Sequence, residues 1–176
     1  TSQQILQVNS SGNALEFTAK PEGKLKKAQY FHHTTRITIN SGSSDIDMFT
    51  WGNFNKVSAT SKLYYHGYIP GRRTENNHSF NKFTATPSSG SAEVINHMKV
   101  HGVTNNDVGQ QFFNLQGVFT TAFAIGNVEL KNILSSDGQA NRGHTSGMVI
   151  NPNNSDDSRL PATAPGSHLV VYEIED

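Results

Sequence analysis

One segment of the chain combines aromatic, imidazole and guanidinium side chains in a pattern suited to a binding surface. Tyr64, His66 and Tyr68 are spaced two residues apart, and Arg72 and Arg73 follow shortly after them. Tyr and Arg are common anchors of binding surfaces, and residues two apart on a strand lie on the same face. The segment predicts a contact surface for a glycan or a protein, with packing in the core or at a subunit interface as the alternative.

Other stretches supply further candidate contact residues. Trp51 lies in the mixed aromatic and polar stretch FTWGNFN, and Arg142 and His144 lie in the polar stretch DGQANRGHT. The stretches GRRTENNHS and NPNNSDDSR have a similar polar composition. Because loops often carry binding residues, all of these are candidates for surface recognition, and a passive connecting role is equally open for the three polar loops.

The eight histidines raise the question of a metal site. The closest pairs in sequence are His32–His33 and His97–His101. Adjacent residues on a strand point to opposite faces, and residues four apart on a strand are about 13 Å apart, too far to share one ion. Only a helix would bring the second pair together. We therefore expect no bound metal ion and no other cofactor, although a single axial His could recur three times around a threefold axis.

Common catalytic motifs do not occur in the sequence. It lacks the phosphate-binding patterns GxxxxGK[ST] and GxGxxG, the nucleophile pattern GxSxG and the zinc pattern HExxH. A sugar-cleaving site needs two carboxylates that face one sugar, and the 14 acidic residues cannot be paired from sequence alone. We expect a protein without enzymatic activity, with polysaccharide cleavage as the alternative.

The elements that position these residues are predicted to be short β-strands separated by turns. Val, Ile, Phe, Tyr and Thr dominate the candidate strands, as is typical of sheets, and no segment has a convincing amphipathic helical pattern. The pattern predicts an all-β domain, either a β-sandwich or a jelly roll. The predicted strands are residues 35–39, 45–51, 62–69 (ended by Pro70 and Gly71), 94–103, 112–125, 128–134, 148–150 and 168–174.

The N-terminal part of the chain has a separate character. Residues 4–8 and 15–17 flank the turn-forming stretch NSSGN, which predicts a short hairpin. Two strands alone are marginal in water, so the hairpin must pack on the rest of the chain or on another copy. The following stretch KPEGKLKKA is typical of a linker. We therefore expect a hairpin and linker over residues 1–28 and a β-sandwich head over residues 29–176.

Composition excludes several classes of protein. The 14 basic and 14 acidic residues cancel, no basic cluster of the nucleic-acid-binding kind occurs, and Cys is absent. No apolar run reaches the ~20 residues of a membrane helix. We therefore expect no nucleic-acid partner, no membrane insertion and no disulfide. Asn, Ser, Thr and Gly make 66 of the 176 residues, and these residues favour turns over helix interiors.

Two parts of the sequence resemble the distal modules of bacteriophage tail fibres and related virion appendages. The opening QILQVNSSGNALEFTA is similar to a segment that commonly precedes such a module. The stretch ATSKLYYHGYIPG and the terminal SHLVVYEIED resemble structural proteins of marine phages, with TSK here in place of the family's SSK. The middle half of the chain is similar only in general character and has no motif that can be aligned, so no binding residue is assigned from the resemblance.

The resemblance implies a homotrimeric module of a virion fibre that contacts a surface glycan or protein of the host cell. Multivalent contact through three copies strengthens weak individual contacts. The chain begins at Thr1 rather than Met, and we expect a fibre shaft upstream. Two other functions remain open: a polysaccharide depolymerase module, and a structural virion decoration that binds no receptor.

Overall fold

The structure is a computed structural model that describes residues 4–8, 15–19, 24–39, 45–73, 79–100, 110–135, 148–156 and 158–175. These residues form β-strands, turns and loops, which confirms the predicted all-β class; none of them forms a helix that could span a membrane. The strands are β1 (Gln4–Val8), β2 (Leu15–Ala19), β3 (Leu25–His33), β4 (Ile37–Ile39), β5 (Ile46–Lys56), β6 (Lys62–Arg73), β7 (Ser79–Pro87), β8 (Glu93–Val100), β9 (Gln110–Phe119), β10 (Gly126–Ser135), β11 (Met148–Ile150) and β12 (Ser167–Ile174).

The strands after β2 pair as a nested series. β7 pairs with β8, β6 with β9, β5 with β10, β4 with β11 and β3 with β12, and every pair is antiparallel. The chain is therefore a double-stranded ribbon folded back on itself. Further pairing of β7 with β10, and of β6 with β12 and β11, rolls this ribbon into two sheets. This arrangement is a jelly roll.

Each of the two sheets is four strands wide. The second sheet has the order β5-β10-β7-β8. In the first sheet β9 pairs with one edge of β6 along most of its length. A strand has only two edges, so β12 and β11 share the other edge, at Lys62–Tyr68 and Gly71–Arg73 respectively. The first sheet is therefore β3-β12-β6-β9, with β4 and β11 continuing the lines of β3 and β12.

The core between the sheets is built largely from aromatic and branched aliphatic side chains at alternate strand positions. The rings of Tyr65, Phe83 and Phe119 contact one another, with centroids 4.7 to 5.2 Å apart. Gly117 is the cross-strand partner of Tyr65, and a Cβ at this position would lie 2.5 Å from the Tyr65 hydroxyl oxygen. The absence of a side chain at Gly117 therefore leaves room for the Tyr65 ring.

The strands β3 and β7 were not predicted, and several boundaries differ from the predicted ones, such as that of the strand expected over residues 45–51, which continues to Lys56. The predicted strand 112–125 ends at Phe119, and the strand 62–69 continues through Pro70 and Gly71 to Arg73. The strand β9 ends at Phe119 because the Glu93 carboxylate accepts hydrogen bonds from the backbone N–H groups of Thr120 and Thr121, at 2.9 and 2.8 Å. These bonds take the chain out of the sheet, although the apolar alternation in the sequence continues.

Pro70 is tolerated inside β6 because of its place in the sheet. Its carbonyl oxygen accepts a hydrogen bond from the Asn151 N–H at 2.9 Å, so this side of Pro70 faces the junction between β11 and β12. Pairing with β12 stops at Tyr68 and pairing with β11 starts at Gly71. The missing N–H of proline therefore coincides with the gap between these two strands.

The hairpin expected at the N-terminus is confirmed as β1 paired with β2, which form a sheet of their own. The linker expected up to residue 28 is shorter, because β3 begins at Leu25 and pairs with β12. The boundary between a hairpin unit and a head domain stays a prediction. The strand expected over residues 94–103 is β8, and residues 101–103 lie outside the described residues.

Candidate functional site

The three candidates Tyr64, His66 and Tyr68 lie together on the outward face of the first sheet. Leu63, Tyr65 and Ile69, at the alternate positions of the same strand, are no more than 2% exposed and face the core. This confirms the predicted division of β6 into two faces. His66 is exposed, whereas Tyr64 and Tyr68 are half-buried. The alternation of side chains on a strand accounts for both faces.

Neighbouring strands extend this set into a continuous surface, which we call the tyrosine–histidine face. The strand register aligns its twelve residues in three rows: Ala28–Tyr172–Tyr64–Val118, Tyr30–Val170–His66–Gln116 and His32–His168–Tyr68–Asn114. All twelve residues are exposed or half-buried. The face contains four Tyr and three His and no Asp, Glu, Lys or Arg.

Ring contacts order parts of the tyrosine–histidine face. The rings of Tyr68 and His168, which are cross-strand partners, stack with centroids 5.3 Å apart. Tyr30 and His32 stack at 6.1 Å. Burial raises the pKa of the Tyr68 hydroxyl above its ordinary value. Tyr68 and His168 are half-buried, whereas Tyr30 is 61% exposed, so the face contains both half-buried and exposed rings.

The outward face of the second sheet has a different character. Lys82 forms an ion pair with Asp45 at 2.7 Å, and Lys131 forms one with Asp47 at 2.5 Å. These charges are partly exposed, as on an ordinary solvated surface. The two sides of the sandwich therefore differ in chemistry: among the residues whose side chains are described, the uncharged rows span the first sheet, whereas the second sheet carries ion pairs.

The remaining candidate residues have different surroundings. Trp51 is buried, and its Nε1–H donates to Asn132 Oδ1 at 2.5 Å, so it packs in the core rather than on a contact surface. Arg72 is half-buried on β6, and Arg73 ends that strand, with its side chain outside the described part of the structure. Arg142 and His144 lie outside the described residues.

The loop that contains NPNNSDDSR is tied to the sandwich by its own polar side chains. The Arg36 guanidinium donates to both carboxylate oxygens of Asp156, at 2.5 to 3.1 Å. These hydrogen bonds are the main reason that the pKa of Asp156 is lowered, and the charges of Arg36 and Arg72 contribute less. The Asp156 side chain is only 5% exposed. Its role here is to fix the loop.

Asn151 anchors the start of the same loop. It has a φ of 52°, in the left-handed region that Asn tolerates better than most residues. Its side-chain amide donates to the carbonyl oxygens of His33 and Thr35, at 2.9 and 3.0 Å, and accepts from Ser167 Oγ at 2.7 Å. A fully buried Asn with these partners is a structural residue.

The two sequence segments that resemble phage structural proteins meet at the opposite end of the sandwich. The Glu173 carboxylate accepts from Ser61 Oγ at 2.7 Å and from the backbone N–H groups of Val57 and Ser58. Glu175 accepts from Ser58 Oγ at 2.8 Å and also from the Thr60 hydroxyl. The TSK segment therefore forms a turn over the C-terminal strand, which gives both motifs a structural role.

Metal binding finds no support among the described residues, since no three His, Asp or Glu side chains there are grouped so that they could hold an ion. His32 and His33 face opposite sides of β3, as expected for neighbours on a strand. His33 stacks on Phe49 at 4.3 Å, and burial lowers its pKa. His101 lies outside the described residues, so its expected separation from His97 stays a prediction.

Most members of the tyrosine–histidine face were not among the sequence candidates. They come from β3, β12 and β9, which are distant from β6 in sequence. One signal was present in the segment LVVY, whose residues are apolar on both faces of the predicted strand. In the structure β12 is internal to its sheet, with Leu169 and Val171 in the core and Val170 and Tyr172 on the outward face.

No protein-family model matches the chain, and no curated protein matches it. Among solved structures, it is similar to that of infectious bursal disease virus Gx strain, with 11% identity over 100% of this chain and 42% of the other, at a TM-score of 0.49. The Gt strain structure gives 14% identity, coverage of 99% and 43%, and a TM-score of 0.44. The VP2 subviral particle of the same virus gives 15% identity, coverage of 99% and 43%, and a TM-score of 0.42. The chain thus spans less than half the length of these proteins.

Proposed function

We propose that the chain is a structural module of a virion appendage, a homotrimer at the distal end of a fibre, and that it attaches the virion to the host-cell surface. The tyrosine–histidine face is the observation that carries this proposal. Large areas of exposed aromatic surface are uncommon on monomeric proteins and mark interaction sites. The resemblance of the sequence to phage fibre modules supplies the setting, because a fold alone does not define a function.

The attachment proposed here requires no catalysis. The carboxylates of Glu93 and Glu173 are held by backbone and hydroxyl donors, and those of Asp45 and Asp47 by lysines. These four acidic groups already have partners within the fold, which makes them poor candidates for the two carboxylates that sugar cleavage requires. Purified protein should leave host capsule or lipopolysaccharide unchanged in size; released oligosaccharide would contradict the non-enzymatic part of the proposal.

The hairpin supports the proposed trimer. Leu6 is the cross-strand partner of Phe17, and Val8 that of Leu15, so two of the five cross-strand pairs consist of apolar residues. The described strands of the sandwich do not pair with this hairpin. Two strands need further packing to be stable in water, and three equivalent hairpins around an axis would provide that packing.

Light scattering coupled to size exclusion tests the trimer directly. The expected mass is three times that of one chain at micromolar concentration. Phe17→Asp should shift the mass toward that of the monomer, whereas Thr18→Asp, at the neighbouring position of the same strand, should not. A stable monomer of the unmodified chain would overturn the trimer.

Binding of labelled protein to host cells tests attachment. Tyr64→Ala combined with Tyr172→Ala should abolish cell binding, and Thr86→Ala combined with Asn96→Ala, on the second sheet, should leave it intact. Protein that does not bind host cells but binds an isolated virion component would instead support the alternative of a structural virion decoration that binds no receptor.

A further inference from the structure

The tyrosine–histidine face contains an open groove at the end where β6, β9 and β12 lie side by side. It has a volume of about 390 Å³, within the range of small-molecule binding sites. Its outward lining consists of Tyr64, His66, Gln116, Val118 and Tyr172. These residues come from three adjacent strands of one sheet, so their backbone positions are fixed by strand pairing.

The register of the strands sets the geometry of this groove. Tyr172, Tyr64 and Val118 are neighbours in one row, and His66 and Gln116 are neighbours in the next. Adjacent strands are about 4.8 Å apart, and residues two apart on a strand are separated by about 7 Å. Two tyrosine rings and two polar side chains therefore surround an area comparable to one or two sugar rings.

The chemistry of the lining matches a sugar better than a charged ligand. Tyr combines an apolar ring with a hydroxyl group, while the His66 imidazole and the Gln116 amide each offer a donor and an acceptor. A pyranose has an apolar face of C–H groups and a rim of hydroxyl groups. Recognition of a carboxylate or sulfate group would call for Lys or Arg, and the groove lining contains neither.

We propose that this groove binds an uncharged segment of a cell-surface polysaccharide, with the Tyr64 and Tyr172 rings against the sugar faces and His66 and Gln116 bonded to hydroxyl groups. The inference rests on the proposed attachment function and names its ligand class. Lys26 and Lys62 lie beyond the first row, and Lys26 is paired with Glu175 at 3.9 Å. The charged residues thus border the face without entering its three rows.

A second copy of the chain fits the same surface less well. Permanent subunit interfaces resemble a hydrophobic core cut in half, but only Ala28, Val118 and Val170 of the twelve face residues are aliphatic. The other nine carry hydrogen-bonding groups. Surfaces rich in Tyr and polar side chains are typical of reversible, partly hydrated recognition, which is what binding to a polysaccharide requires.

Titration calorimetry of the full chain with defined oligosaccharides tests the inference. The uncharged probes are maltohexaose, laminarihexaose and mannohexaose, and the charged probe is a heparin-derived hexasaccharide. At least one uncharged probe should bind, and the charged probe should not. Tyr64→Ala and Tyr172→Ala should each weaken that binding at least tenfold, while the matched control Thr86→Ala should change it less than twofold.

The outcomes separate this inference from the proposed function. Binding of the charged probe alone, or of no uncharged probe at 5 mM, would overturn the neutral-glycan inference, and so would unchanged affinity in Tyr64→Ala. If host cells are still bound in that case, the attachment function stands with a different ligand. If Tyr64→Ala dissociates the oligomer in light scattering, the face belongs to a second copy and the inference is wrong. Unfolding followed by Trp51 fluorescence confirms that each variant is folded.

Discussion

The Nζ atom of Lys56 lies 3.8 Å from Oε1 of Glu173, and neither side chain is exposed to solvent. Lys56 ends β5, and Glu173 lies near the end of β12. Lys56 also donates to Ser61 Oγ at 2.8 Å and to the carbonyl oxygen of Ser58. Burial lowers the pKa of Lys56, although the charges of Glu173 and Glu175 oppose this effect. The ion pair thus joins the turn after β5 to the C-terminal strand.

Removal of the two partners should have unequal effects on stability. Glu173→Gln leaves the Lys56 charge buried without its carboxylate, and the loss of one partner of a buried pair costs about 3–5 kcal/mol. Lys56→Met should cost less, about 1–2 kcal/mol, because Glu173 keeps its bonds from Val57, Ser58 and Ser61. Urea unfolding followed by Trp51 fluorescence measures both. Lys82→Ala, in a surface pair, is the control, with an expected loss below about 1 kcal/mol.

Acid should weaken the attachment of the loop that follows β11. The pKa of Asp156 is lowered in the folded state by the hydrogen bonds from Arg36. The folded pKa therefore lies below the unfolded value of about 3.9, so the stabilisation is complete above that value and is lost as the pH falls through the folded pKa. Asp156→Asn should be less stable than the unmodified chain at pH 7, and the difference in melting temperature should shrink toward pH 3. A difference that stays constant over this range would contradict the assignment.

Glu93 should contribute to acid sensitivity at the other end of the sandwich. Burial alone would raise the pKa of Glu93, but hydrogen bonds from Thr120 and Thr121 outweigh it and lower the pKa. The stabilisation is again lost on acidification, below about pH 4. Glu93→Gln should therefore reduce stability at pH 7 more than at pH 3. Glu129→Gln, at an exposed position on the second sheet, is the matched control and should reduce stability at pH 7 much less than Glu93→Gln does.

Two glycines of the first sheet should differ in their tolerance of a methyl group. At Gly67 a Cβ would lie 2.6 Å from the carbonyl oxygen of His168, whereas at Gly117 it would lie 2.5 Å from the hydroxyl oxygen of Tyr65. A side chain can shift more readily than the backbone of a paired strand. Gly67→Ala should therefore lose at least 2 kcal/mol and Gly117→Ala about 1–2 kcal/mol in urea unfolding, within the usual range for overpacking. Equal losses would show that the Tyr65 ring cannot move.

Asn151 should be sensitive to both its conformation and its hydrogen bonds. Asn151→Ala removes the hydrogen bonds to His33, Thr35 and Ser167. It also places alanine, which adopts the left-handed conformation less readily than asparagine, at a φ of 52°. The expected loss is about 3 kcal/mol. Asn151→Gly keeps the backbone free to adopt this conformation and should lose about 1 kcal/mol less. Thermal unfolding of the two variants side by side separates the two contributions, and an Ala variant as stable as Gly would exclude the backbone effect.

The side of β6 on which each residue lies was predictable from the sequence alone. Strand side chains alternate, so Leu63 and Tyr65 had to share one face and Tyr64 and His66 the other. The β-branched and aromatic composition likewise predicted an all-β sandwich, and the turn-forming NSSGN stretch predicted the first hairpin. These are local properties, and they follow from the residues themselves.

The predictions for the end of β9 and for Trp51 were wrong because both depend on contacts between residues that are distant in the sequence. The strand that starts at Gln110 ends at Phe119 because Glu93 binds the next two backbone N–H groups, which no local pattern reveals. Trp51 looked like a surface residue because its neighbours are polar, yet Asn132 provides a buried partner for its indole N–H. In both cases a single polar side chain from another strand decided the structure.

The sequence by itself determined the all-β class, most of the strands, the two faces of β6 and the absence of charge on short stretches such as YYHGY. Only the tertiary structure decided that Tyr64 lies between Tyr172 and Val118, because strand order depends on nested pairing between segments more than fifty residues apart. A period of two assigns a residue to a face but not to a neighbour. The tyrosine–histidine face, and the groove within it, therefore exist only once the ribbon has rolled into its two sheets.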